Sequence, residues 1–208
     1  MKKSLAALIA LVSTPAFAHH PMAGRTPSTL SEGLLSGIGH PILGLDHLLF
    51  VVAVGVAAVV LGSRFVLPLV FVVATLLGTI VHVMAVDLPL VELVIALSVL
   101  TLGALLMLSI SVPNAVYVGI FAIAGLFHGH AYGEAIFGAE TTPLLAYLTG
   151  FGITQYAIAV VAGTVIVSAW GRMEQLANNV PARLAGAMVA GAGFLMVGEK
   201  AIGAVFPV

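Results

Sequence analysis

Residues 65–86, 93–133, 141–171 and 184–198 contain no Lys, Arg, Asp or Glu. Runs of about twenty apolar residues have the length of helix that crosses ~30 Å of hydrocarbon, and a soluble domain rarely holds several. Only 7% of the 208 residues are charged, where a soluble domain carries about a quarter. With 61% apolar residues and a mean hydropathy of +1.21, the chain reads as an all-α, polytopic integral membrane protein. Seven Lys and Arg against eight acids, a net charge of −1, provide no basic surface for a phosphate backbone, so nucleic acid is excluded as a partner. The absence of cysteine removes disulfides, thiolate metal sites and Cys nucleophiles together. Any chemistry must use His, carboxylates, hydroxyls, Met or the backbone.

The first eighteen residues have the three parts of a secretory signal: Lys2 and Lys3, an apolar stretch from Leu5 to Val12, and Ala16-Phe17-Ala18. Residues 1–18 are therefore expected to be a cleavable signal peptide and 19–208 a single transmembrane domain. Spans are expected at about 41–61, 65–86, 90–110, 115–132, 144–169 and 182–206, divided by Gly, Pro and charged residues. Thr29-Leu30-Ser31-Glu32 is a capping-box sequence that predicts a helical turn ahead of the first span, with a kink at Pro41. A mature amino terminus in the periplasm or its equivalent places Arg64, Arg172 and Arg183, with Glu174, on the cytoplasmic side. Asp87, Glu134 and Glu140 then fall outside, in agreement with the positive-inside rule.

On this topology the histidines and most buried acids gather toward one side. In His40-Pro41-Ile42-Leu43-Gly44-Leu45-Asp46-His47, an unbroken helix would put His40 and His47 on one face but two turns apart, too far to share an ion. A kink or two successive sites would reconcile them. Ionisable residues inside a span are costly and by default suggest a ligand site or a transport path, which makes His40, Asp46 and His47 candidate metal ligands. The second cluster is Phe127-His128-Gly129-His130-Ala131-Tyr132-Gly133-Glu134. Here His130 and Glu134 are i,i+4, while His128 points elsewhere. Gly125, Gly129 and Gly133 form consecutive G-x-x-x-G steps suited to close helix packing, which would hold this span against the first. His128, His130 and Glu134 join the candidate ligands. His82 and Asp87, with Glu92 beginning the next helix, could form an outer acidic vestibule, and His19-His20 could chelate a metal at the mature terminus. Glu140 reads as a solvated loop charge, and Met84, Met107, Met188 and Met196 as packing or lipid-facing residues. Imidazole and carboxylate donors without thiolate suit nickel, cobalt, zinc or manganese better than Cu(I).

The H-P-x-x-G-x-D-H-x-x-F stretch at 40–50 and F-H-G-H-A-Y-G-E at 127–134, behind a secretory signal, resemble the HupE/UreJ family of nickel/cobalt permeases along essentially the whole chain. The resemblance implies uptake of Ni²⁺ or Co²⁺ across a bacterial inner membrane, for enzymes such as hydrogenase or urease or for cobalamin synthesis. It carries His40, Asp46, His47, His128 and Glu134 over as functional positions. Relatives commonly have A-H-G-x-E in the second motif. Tyr132 stands here where an imidazole is expected, which leaves His130, Glu134 and Glu140 open for that role.

The expected function is thus a secondary transporter importing a divalent metal as its substrate, with no permanently bound cofactor. The sequence contains no G-x-x-x-x-G-K-[ST], so a P-loop does not drive transport. The lipid bilayer is the other implied partner, and homo-oligomer formation stays open. The alternative is an intramembrane metal-dependent hydrolase with a His/Asp zinc site, although the chain has no H-E-x-x-H motif.

Overall fold

The computed structural model describes residues 25–170 and 180–205, with the side chains of Asp46 and Trp170 outside that description. The predicted signal peptide, His19, His20, Arg172 and Glu174 lie outside the described residues. Among the described residues the structure is helical throughout. The α-helices are α1 (Leu30–Leu43), α2 (Leu45–Val60), α3 (Val66–Val83), α4 (Val91–Met107), α5 (Asn114–Gly133), α6 (Thr141–Trp170) and α7 (Val180–Val205), with a 3-10 turn at Glu134–Ile136 after α5. From α2 on, these follow the predicted spans to within four residues at each end. By length and apolarity α3, α5 with its 3-10 turn, α6 and α7 can each cross a membrane, and α1 with α2 can do so only as a bent pair. Helix α4 has 17 residues and is shorter than the predicted 90–110. Leu90 and Ser109, in left-handed conformation at φ 55° and 53°, flank it.

Helix α1 begins as the capping box predicts. Thr29 Oγ1 accepts the Glu32 N–H at 3.2 Å, satisfying one of the unpaired first-turn donors. The return bond goes one residue further back, to the N–H of Ser28 at 2.8 Å, and the Ser28 hydroxyl donates to the same carboxylate at 2.9 Å.

The expected kink at Pro41 falls three residues later. Pro41 lies inside α1, and the chain turns extended at Gly44 (φ −77°, ψ 101°), with a bend of 75° between the two helices. Proline removes one rung of the hydrogen-bond ladder, and glycine, the poorest helix former after proline, is where the weakened turn ends. The Gly44 N–H still donates to the His40 carbonyl at 3.2 Å, and the Gly44 carbonyl accepts from Leu48 N–H at 2.8 Å. Both backbone polar groups of Gly44 thus stay paired at the break, as membrane depth favours.

Helix α2 is apolar on all faces beyond its first turn, the pattern of a helix with no solvent side. Phe50, Val51, Ala53, Val54, Val56, Ala57 and Ala58 are all buried. It packs against α1, α3, α4, α6 and α7, while α3 with α5, α4 with α7, and α1 with α6 form the most extensive helix pairs. Glycines permit these pairs to approach closely. A Cβ at Gly37 of α1 would collide with the backbone carbonyl of Tyr147 in α6, and one at Gly129 of α5 with that of Thr75 in α3. The G-x-x-x-G steps thus serve close packing, but against α3, the second span, and not against the first as expected: Gly125, Gly129 and Gly133 all face α3.

Candidate functional site

Breaking the helix at Gly44 folds His40 and His47 toward each other. Their ring centroids are 6.2 Å apart instead of about two turns, and both rings are buried. Tyr132 from α5 lies beside both, 4.7 Å from His40 and 4.1 Å from His47 by centroid. Phe151 of α6 closes its far side at 4.4 Å. The residue in place of the expected imidazole is thus the aromatic wall shared by the two histidines of the first motif.

For rings in the neutral form, the hydrogen bonds assign the protons. The Tyr147 hydroxyl donates to the Tyr132 carbonyl at 3.0 Å, so its oxygen accepts from His40 Nδ1–H at 2.9 Å and the His40 lone pair is on Nε2. Ser98 Oγ donates to the Ile95 carbonyl at 2.7 Å, so it accepts from His128 Nε2–H at 3.0 Å. His128 Nδ1 then accepts from His47 Nδ1–H, also at 3.0 Å, which places the His47 lone pair on Nε2. Two relays, each ending on a backbone carbonyl, orient His40 and His47 as metal-ligating histidines are commonly oriented, with one nitrogen donating its proton to a partner and the other carrying the lone pair. His128 is also held by stacking on Phe50 at 4.5 Å.

Sequence spacing put His128 and His130 in one cluster, but two residues along a helix are about 200° apart, and the structure separates them. His128 faces α2 and α4. His130 faces α3, donates Nε2–H to the Val86 carbonyl at 2.9 Å, and lies with its Nδ1 3.4 Å from His82 Nδ1. By the same reasoning the proton between them belongs to His82, whose lone pair is on Nε2. Helix α5 ends at Gly133, but the backbone stays right-handed through Glu134, so His130 and Glu134 remain one turn apart, both near His82. His130 is buried, and Glu134 is exposed in the 3-10 turn. Asp87 and Glu140 are exposed as well. Glu92 is drawn away from the expected vestibule by an ion pair to Lys200 of α7 at 3.0 Å. Among the described side chains, which exclude Asp46, no group of three His, Cys, Asp or Glu is arranged to hold a metal ion.

Ser98, Tyr147 and the buried pair Thr75 and Gln155 escaped the sequence reading. Each is a polar residue within an apolar run, and that isolation is the signal that could have found them.

A family model described as HupE / UreJ protein matches residues 6–196. Protein HupE of Rhizobium leguminosarum bv. viciae is 34% identical over 198 residues, covering 91% of this chain and 95% of that protein. No solved structure matches.

Proposed function

The chain belongs to the HupE/UreJ family, and on that premise we propose that it is a secondary transporter bringing Ni²⁺ or Co²⁺ across the bacterial inner membrane. The observation that carries this reading is the break at Gly44, which gathers His40 and His47 within 6.2 Å deep in a bundle of apolar helices. Discontinuous helices whose broken backbone lines a buried site are a recurrent way to handle ions inside membranes. Residues 1–18 serve as the signal peptide and 19–208 as a single permease domain of six spans, the first being the bent α1–α2 pair, with the mature amino terminus in the periplasm.

The divalent ion is the transported substrate, and no resident cofactor is required. At the outer end of the path, His82 and His130 act with the negative charges of Asp87 and Glu134, which raise the local cation concentration. The inner station is His40 and His47, with Asp46 of the same motif as its acidic ligand. His128 positions His47 through the Nδ1 contact, with Ser98 behind it. Imidazole and carboxylate donors suit nickel and cobalt. The terminal His19 and His20 would capture ions ahead of this path.

Reconstituted vesicles test the proposal. Saturable radiolabelled nickel uptake, inhibited by cobalt and lost in a folded Asp46→Asn variant, is the expected result. Absence of uptake by the folded parent protein, or full uptake by Asp46→Asn, would overturn it.

A further inference from the structure

Beyond His40 and His47, toward the Val66 and Asn114 ends of α3 and α5, the bundle buries one more polar side-chain pair. Gln155 of α6 and Thr75 of α3 are both 0% exposed. Their depth follows from helix register. Helices α3 and α5 pack with Phe71 beside Gly125 and Thr75 beside Gly129, and the Thr75 hydroxyl turns back toward the Val72 carbonyl. It therefore lies level with His128 and about one turn past Tyr132, the residue that flanks His40 and His47. Gln155 is one turn past Phe151, whose ring closes the far side of Tyr132 under His47.

Thr75 Oγ1 is 2.8 Å from the Val72 carbonyl oxygen and 2.8 Å from Gln155 Oε1. Both neighbours are acceptors, and a hydroxyl has a single proton. Gln155 Nε2, meanwhile, is buried with no hydrogen-bond partner among the described residues. Turning the carboxamide over about its last bond resolves the conflict, a change that leaves its shape unaltered. The amide NH₂ then donates to Thr75 Oγ1, whose proton goes wholly to Val72. The carboxamide oxygen then takes the buried position at which Nε2 finds no hydrogen-bond partner among the described residues. A buried acceptor without a donor is costly, and a cation satisfies it.

We propose that Gln155, held in place by Thr75, is an oxygen ligand for the transported divalent cation, one turn beyond the histidine station. This rests on the permease reading above. Conduction needs sites strong enough to take an ion and weak enough to release it. Imidazoles and a carboxylate bind nickel and cobalt firmly. A neutral carboxamide oxygen binds them weakly, so it lowers the barrier to leaving without creating a second trap. Gln155 thus governs the maximal rate of uptake, while half-saturation and metal preference belong to the histidines.

The test compares nickel uptake and equilibrium nickel binding of the full chain in vesicles for the parent, Gln155→Leu, Gln155→Glu and Thr75→Val. Gln155→Leu is expected to lower the maximal rate at least ten-fold, with half-saturation within two-fold of the parent and thermal unfolding unchanged. Gln155→Glu keeps the shape but substitutes an anion, to which the Thr75 hydroxyl turns its proton from the Val72 carbonyl, so it is expected to bind nickel at least five-fold more tightly and release it more slowly. Thr75→Val frees the carboxamide from its support and is expected to give a smaller loss of rate. Uptake by Gln155→Leu within two-fold of the parent would overturn the assignment. If that variant fails to fold, parental affinity and rate in Gln155→Glu would do so. Absence of uptake by the parent itself would overturn the permease reading and this assignment together, whereas parental uptake unaffected by the substitutions would overturn the assignment alone.

Discussion

His47 and His128 meet through like atoms, Nδ1 to Nδ1 at 3.0 Å, so one proton must lie between two lone pairs. Ser98 decides on which ring it resides, because its own proton is committed to the Ile95 carbonyl and its oxygen draws the Nε2 proton of His128. Replacing Ser98 by Ala releases that constraint and lets His128 take the other tautomer, with its Nδ1 protonated against His47. Loss of a partner behind a metal-binding histidine typically costs about 10–100-fold in affinity. Ser98→Ala is therefore expected to weaken nickel binding by that order while the bundle still folds, which equilibrium dialysis of the purified protein would measure.

Tyr132 flanks both His40 and His47, with its ring 4.7 Å and 4.1 Å from theirs. Tyr132→His would bring a third imidazole into a pocket already shaped around two. An added nitrogen donor favours divalent nickel or cobalt, and an increase of about tenfold in affinity corresponds to ~1.4 kcal/mol. Tighter holding slows release, so the variant is expected to bind more strongly and transport more slowly. Binding isotherms and initial uptake rates on one preparation would show the two changes moving in opposite directions.

Close packing of α3 on α5 carries both histidine pairs, and two points in it are equally tight: Gly78 against the Leu126 carbonyl and Gly129 against the Thr75 carbonyl. A methyl group there cannot be absorbed by a side-chain rotation, since the obstacle is backbone. Overpacking of this kind costs about 1–3 kcal/mol, so Gly129→Ala is expected to lower the unfolding temperature in detergent and to reduce nickel binding with it. Gly191 of α7 has no atom near the position of an added Cβ. Gly191→Ala is expected to leave both quantities unchanged or to raise the unfolding temperature slightly.

The helices were legible because they follow from where charges and Gly or Pro interrupt apolar runs, and α2 to α7 lie close to the predicted boundaries. The break in the first span was legible only in outline. Pro41 drew attention as a helix breaker, yet Gly44 is where the chain turns, because a missing N–H weakens a turn without dictating where it ends. His40, His47 and His128 were found because an imidazole deep in a span is conspicuous. The separation of His128 from His130 was already implied by their two-residue spacing on a helix. Pairing of His130 with His82 was hidden, since it depends on the parallel register of α3 and α5. Ser98, Tyr147, Thr75 and Gln155 carry no charge and belong to no motif, so only three-dimensional contact reveals what they hold.

At the end of the bundle where α3 and α5 finish and α4 begins, the His82–His130 pair and the Glu92–Lys200 pair make opposite predictions. His130 is tied to the Val86 carbonyl, and His82 is half-buried beside it with its lone pair on Nε2, so together they can receive an ion before it reaches His40. Removing them in a His82→Ala, His130→Ala double variant is expected to raise the half-saturating nickel concentration about tenfold, equivalent to ~1.4 kcal/mol, with the maximal rate retained at high nickel. Glu92 is 64% exposed and Lys200 42% exposed. An exposed ion pair of this type contributes about 0.2–1 kcal/mol, and salt screens it. Glu92→Gln is therefore expected to leave half-saturation and maximal rate unchanged and to lower stability only slightly at low ionic strength. Nickel uptake curves for both variants at two salt concentrations separate a cation-receiving pair from a helix-to-helix tie. An increase in half-saturation confined to Glu92→Gln would reverse the two roles.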